Sequence, residues 1–152
     1  MSIFPAKILL ATDGSEEAEL ALRTAVDLAN STNSELHVAT VAREYSPPYD
    51  VPEHGEQLQE ALRRLQREAQ KVLDGQARKI EEAGGTVEKA HLGVGGRRDQ
   101  EIVRLAEELG AGLIVMGSRG LGGIRRALMG SVSDSVVRHA HCPVLVVRKE
   151  KR

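Results

Sequence analysis

The sequence predicts an α/β domain with a mainly parallel, doubly wound sheet and helices on both faces. Three observations lead there. Five short apolar runs of strand length are spread along the 152 residues. Helix-spaced apolar patterns fill most of the intervals between them. Glycine, aspartate and proline punctuate the junctions. Such alternation is what parallel strands need, since each return to the same sheet edge requires a crossover, usually a helix. Ligands of such sheets sit beyond the carboxyl ends of the strands, where strand order reverses. The loops after the first and fourth strands are therefore the expected site.

Residues 7–12 (KILLAT) form the first predicted strand and stop at the turn signal Asp13, Gly14, Ser15. Ser15 is the expected N-cap of a helix whose apolar stripe is Ala18, Ala21, Leu22, Ala25, Val26 and Ala29. Glu16, Glu17 and Glu19 in its first turn suit the helix dipole but would repel a phosphate there. Residues 35–41 form the second strand. The stretch 45–52, with three prolines, can continue neither helix nor central strand and is read as a long loop. From Gly55 to about Ala83 a long amphipathic helix is expected, ended by Gly84 and Gly85. Its stripe of Leu and Ala is read as cover for one face of the sheet. Residues 86–92 are the third strand, followed by a glycine loop at 93–96. Asp99 is the expected cap of a helix carrying Ile102, Val103, Ala106 and Leu109. Residues 113–116 and 144–147 are strands four and five, with a helix carrying Val132, Val136 and Val137 between them.

Composition narrows the function. The 21 Lys and Arg nearly cancel the 22 Asp and Glu, so no nucleic-acid coat or membrane-surface partner is implied, and an anion site must be local. One cysteine, Cys142, excludes an intramolecular disulfide framework and fits a reducing compartment. The first residues lack the basic region and apolar core of a signal peptide, and no run reaches membrane-spanning length, so a single soluble cytoplasmic domain over 1–152 is expected. Phe4, Tyr45 and Tyr49 are the whole aromatic complement. A bound base would have to rest on aliphatic side chains and backbone.

The loop after the fourth strand has the composition of an anion site. Glycines permit close backbone approach, a helix start near Gly130 directs free N–H groups outward, and Arg119, Arg125 and Arg126 offer positive charge. Of the three, Arg119 is the preferred anion contact. A flexible connection without a ligand is the competing reading of this loop. Neither a P-loop nor a complete G-x-G-x-x-G is present. Asp13 competes between a ligand role and a turn residue bonding its own backbone. His139 and His141 lie near a helix end whose dipole favours them, and Cys142 reads as strand-edge packing rather than a metal ligand. His37 and His91 are read as structural or surface residues.

Gly117-x2-Gly120, nine further residues, then Gly130-Ser131 resembles the nucleotide-binding signature of the universal stress protein family and matches it at every specified position. Residues 11–15 (ATDGS), 113–120, 130–133 and 142–147 extend the resemblance over essentially the whole chain. It implies a Rossmann-like, five-stranded parallel sheet of order 3-2-1-4-5. For the ATP-binding branch it also implies a site. Asp13 would meet the ribose or a divalent cation, and Val41 the adenine. Gly117 and Gly120 would admit ribose and phosphates. Gly130, Ser131, Val132 and Ser133 would present donors to the phosphates, with Ala11, Thr12 and Met116 completing the set. Many relatives carry an aspartate where this chain has Gly112.

The expectation is an ATP-binding regulatory or sensing module, AMP or ADP being further ligands, with Mg2+ accompanying the nucleotide. Two alternatives stand beside it. One is slow ATP hydrolysis or phosphoryl transfer to Ser131 or a partner, for which Asp13 is the only general base in view. The other is a nucleotide-free scaffold. The strand order would leave 144–147 at a sheet edge, and a homodimer through that edge is expected.

Overall fold

The computed structural model describes residues 2–45, 55–118 and 130–149. The strands are β1 (Lys7–Ala11), β2 (Glu35–Val41), β3 (Val87–Gly93), β4 (Leu113–Gly117) and β5 (Val144–Val147). The helices are α1 (Glu16–Thr32), α2 (Glu56–Glu82), α3 (Arg98–Leu109) and α4 (Ser131–His139). All five strands join one parallel sheet in the order β3-β2-β1-β4-β5.

Strand periodicity sorts the core into two layers. From β1, Ile8 and Leu10 pack with Leu22, Val26, Leu73 and Ile80 of α1 and α2. The intervening Leu9 and Ala11 pack with Ile102, Ala106 and Val136 of α3 and α4. In β4, Leu113 and Val115 join the first layer, Ile114 and Met116 the second. Ile8, Leu9, Leu10, Ile114 and Val115 are wholly inaccessible. Burying each such side chain stabilises the fold by roughly 1.5–3 kcal/mol. Central strands sandwiched in this way need apolar residues at every position, which is why they read as continuous runs rather than alternations.

The helix ends follow local chemistry, with one correction. Ser15 caps α1 by accepting from the Ala18 N–H at 3.3 Å, and Asn33 closes it in the left-handed conformation. Asp99, expected as a cap, instead lies inside the first turn of α3, and Arg97 takes the N-cap position without a side-chain cap bond. The Asp99 carboxylate is committed to Arg97 and Ser135. At 27 residues α2 is about 40 Å long, against about 23 Å for the seven-residue β3. Its buried residues are Ala69, Leu73, Gln76 and Ile80, all in the C-terminal half, while Leu62 is 40% exposed. The stripe thus covers the sheet only from about Ala69 onward. Gly112, at the start of β4, donates its N–H to the Lys7 carbonyl, and a Cβ there would lie 3.0 Å from that of Ala6. That close approach accounts for glycine.

Where β2 meets β3, His37 Nδ1 and His91 Nε2 stand 3.2 Å apart, so the two rings share one proton along this line. His37 is buried, and Glu35 lies 3.4 Å from its other nitrogen. Burial, then the neighbouring His37 and Lys89, pushes His91 below the ordinary histidine value. An unfolded chain then takes up the His91 proton more readily. The stabilisation is whole above the ordinary value of about 6.5 and is lost as pH falls through the lower folded value. Urea unfolding between about pH 7 and about pH 5 should therefore show a decline that His91→Gln makes shallower. An equally steep decline in the variant would place its origin elsewhere.

Candidate functional site

Because β1 lies between β2 and β4, the chain leaves β1 toward one side of the sheet and later returns to β4 on the other. The carboxyl ends of β1 and β4 therefore flank the point where the order reverses. Ala11 and Met116 are register partners there, and both are buried. Val41 closes β2 on the same edge, and the neighbouring Ala42 N–H bonds the Gly93 carbonyl at 2.8 Å. Of the residues singled out in the sequence, Ala11, Thr12, Asp13, Val41, Met116, Gly117 and Gly130 to Ser133 thus lie on this edge or in the connections leaving it. Arg119, Gly120, Arg125 and Arg126 lie outside the described residues.

The turn after β1 is tied internally. Thr12 donates its hydroxyl to Gln76 Oε1 of α2 at 2.8 Å, and its own N–H bonds the Ala39 carbonyl. One oxygen of Asp13 accepts the Ser15 N–H at 3.0 Å, the turn geometry weighed for it in the sequence. The Thr12 hydroxyl is therefore spent on holding α2, and its main chain on pairing with β2.

The start of α4 is fixed by a clamp that the motif alone does not announce. Ser118, at the end of β4, is 2% exposed and donates its N–H to Val147 of β5. Its hydroxyl bonds the Glu17 carboxylate of α1. Its carbonyl accepts both the Gly130 N–H and the Ser133 hydroxyl, each at 2.6 Å. Ser133 also reaches the Gly130 carbonyl at 3.1 Å. The two residues that bracket 119–129 are thus bonded directly to one another, and the buried Ser133 hydroxyl serves this anchor.

Gly130 is the N-cap residue of α4 and offers no side chain to its first turn. Among the described residues no acceptor bonds the N–H groups of Ser131, Val132 or Ser133. Such unshared donors at the positive end of a helix are an anion receptor. Ser131 is exposed and Val132 half-buried. Both line a cavity of about 560 Å³ together with Arg43, Glu44, Arg97, Arg98 and Asp99.

Asp99 joins the cleft's two helices. It accepts the Ser135 hydroxyl at 2.6 Å and both Arg97 Nε and Nη2, at 3.2 and 3.0 Å. The Ser135 hydroxyl first, then Arg97 and the α3 backbone N–H groups, holds this carboxyl below its ordinary value against the opposing effect of burial. The starts of α3 and α4 are thereby locked beside one cavity. Arg43, Arg97 and Arg98 are the site residues that sequence reasoning missed. Their signal was basic residues just past the ends of apolar strands, but only the strand order shows that those ends meet.

Fold and site together define a doubly wound α/β domain with an anion-receptive helix start at its topological switch point. The chain belongs to the universal stress protein family, whose model matches residues 6–148. It is 37% identical over 148 residues to a universal stress protein of Methanocaldococcus jannaschii, covering 96% of this chain and 84% of that one. With a Bacillus subtilis universal stress protein the identity is 36% over 149 residues, covering 93% and 98%. Among solved structures, a universal stress protein of Archaeoglobus fulgidus in complex with dAMP superposes with TM-score 0.68 at 26% identity, over 93% and 96% of the chains. Another, in complex with cAMP, gives 0.70 at 27%, over 96% and 99%. No helix among the described residues is long and apolar enough to cross a membrane.

Proposed function

We propose that this chain binds an adenine nucleotide, ATP with AMP and ADP as further ligands, and works as a nucleotide-dependent regulatory module. One observation carries the reading: the first-turn N–H groups of α4 have no acceptor among the described residues, and two of the residues that own them, Ser131 and Val132, line the cavity. They are donors suited to phosphate oxygens. Asp13 takes the ribose and Val41 meets the adenine, with Ala11, Thr12 and Met116 completing the set. Arg119 and Gly120 extend the phosphate seat. The dAMP and cAMP complexes of relatives support the ligand class.

No group of three metal-binding side chains comes together among the described residues. The described residues thus offer no three-ligand site, and in this reading Mg2+ accompanies the nucleotide as its counter-ion. In this reading, nucleotide binding at the Gly117 to Ser131 loop changes the surface offered to partners. Titration calorimetry with AMP, ADP and ATP should give saturable binding of one nucleotide per chain. Folded protein that shows none overturns the reading. A second reading, a dimeric scaffold, has one observation in its favour: β5 lies at the sheet edge with all four residues half-buried. Sedimentation at high concentration should show a dimer, and a dimer without nucleotide affinity would favour this second reading.

A further inference from the structure

We infer that Arg43 and Arg98 form a second anion subsite in the cleft, so that this chain prefers an adenine nucleotide with a second phosphoryl group to a monophosphate. The inference rests on the nucleotide reading above and assigns residues and selectivity that the family signature leaves out. Arg97 and Arg98 stand at the N-cap and first position of α3. Positive charge is unfavourable there, because the helix dipole presents its own positive end. The chain neutralises one of them, since Asp99 takes Arg97 through two hydrogen bonds. Arg98 is half-buried, and among the described residues its guanidinium has neither ion pair nor hydrogen bond.

Arg43, just beyond β2, is likewise without an ion pair among the described residues, and it lines the same cavity as Arg98, Ser131 and Val132. Among the described residues Glu44 is the one carboxylate of that lining not already committed, so their uncommitted charge is net positive. A half-buried guanidinium set against a helix dipole breaks a local rule of helix design, and such breaks concentrate at functional sites. An anion repairs it, and a guanidinium fork matches phosphate oxygens two at a time. With one phosphate on the α4 donors, a second on the same ligand satisfies the arginines. It can come from a longer 5′ chain or from a phosphate on the ribose.

Calorimetry in the presence of a metal chelator tests this with AMP, ADP and adenosine 3′,5′-bisphosphate. The wild type should bind at least one of the latter two on the order of tenfold more tightly than AMP. ADP and the bisphosphate distinguish the chain from the ribose as the source of the second group. Arg43→Gln with Arg98→Gln should reduce that ratio to less than about threefold and lower its dependence on salt. Glu44→Gln should raise it. Thermal melting of each variant verifies the fold. AMP binding with no gain from a second phosphate, or a gain that persists in the double variant, overturns the subsite alone. Failure of all three nucleotides to bind folded wild type overturns the nucleotide reading and this inference with it.

Discussion

Ser131→Asp is expected to leave the fold at least as stable as the wild type while removing most of the proposed affinity for nucleotides. Position 131 is exposed, opens α4 and borders the cavity, so the new carboxylate needs no repacking. In the first turn it complements the helix dipole, worth about 0.3–1 kcal/mol. The same charge occupies the space a phosphate would take. Two like charges about 4 Å apart repel by roughly 1 kcal/mol in water and about 4 kcal/mol at an effective dielectric of 20. A loss between about fivefold and roughly seven-hundredfold follows. Ser131→Ala separates the terms, because it removes a hydroxyl and adds no charge, and should cost far less affinity. Thermal melting and calorimetry on the three proteins give both quantities. Unchanged affinity in Ser131→Asp would mean that phosphate does not sit on α4.

What could be read from the sequence follows from the range of the interactions involved. Strands β1, β4 and β5 announced themselves as short apolar runs, and the amphipathic period of α1 and α2 is written within a few turns. Strands β2 and β3 were legible through their place between turn signals, despite polar residues such as His37, Glu88 and Lys89. Ser15 was legible as a cap because its partner is three residues away. Asp99 was misread for the opposite reason. Its carboxylate looks like a cap from its neighbours, but Ser135, 36 residues later, claims it. The arginines of the cleft were invisible on the same ground. Arg43 and Arg98 are unremarkable surface charges until the order β3-β2-β1-β4-β5 brings the end of β2 and the starts of α3 and α4 to one edge. That order came from the family resemblance, since periodicity alone does not number strands. The Ser118–Gly130–Ser133 clamp is hidden in the sequence on the same ground, because nothing in the spacing says which hydroxyls are spent on backbone.

Gly117→Val is expected to destabilise the protein before any ligand is added. The family resemblance implies that Gly117 admits ribose and phosphate, but the structure supplies a packing reason as well. A Cβ there would lie 3.1 Å from both the carbonyl carbon and the Cβ of Glu17 and 3.2 Å from the Ala18 nitrogen. Those atoms belong to the first turn of α1, which cannot withdraw freely. Ser15 caps that turn, and the neighbouring Ser118 holds Glu17. Overpacking of this kind costs about 1–3 kcal/mol, with Gly117→Ala toward the low end and Gly117→Val toward or beyond the high end. For a domain of this size each kcal/mol lowers the melting temperature by roughly 2–4 °C. Urea titration should show the midpoint moving while the slope stays constant. Binding should weaken as well, through displacement of the turn that carries Asp13. A ligand-free variant within about 0.5 kcal/mol of wild type would show that α1 yields without cost, leaving ligand approach as the reason for the glycine. The expected loss instead makes this signature glycine first a contact between strand and helix, on which the proposed nucleotide site rests.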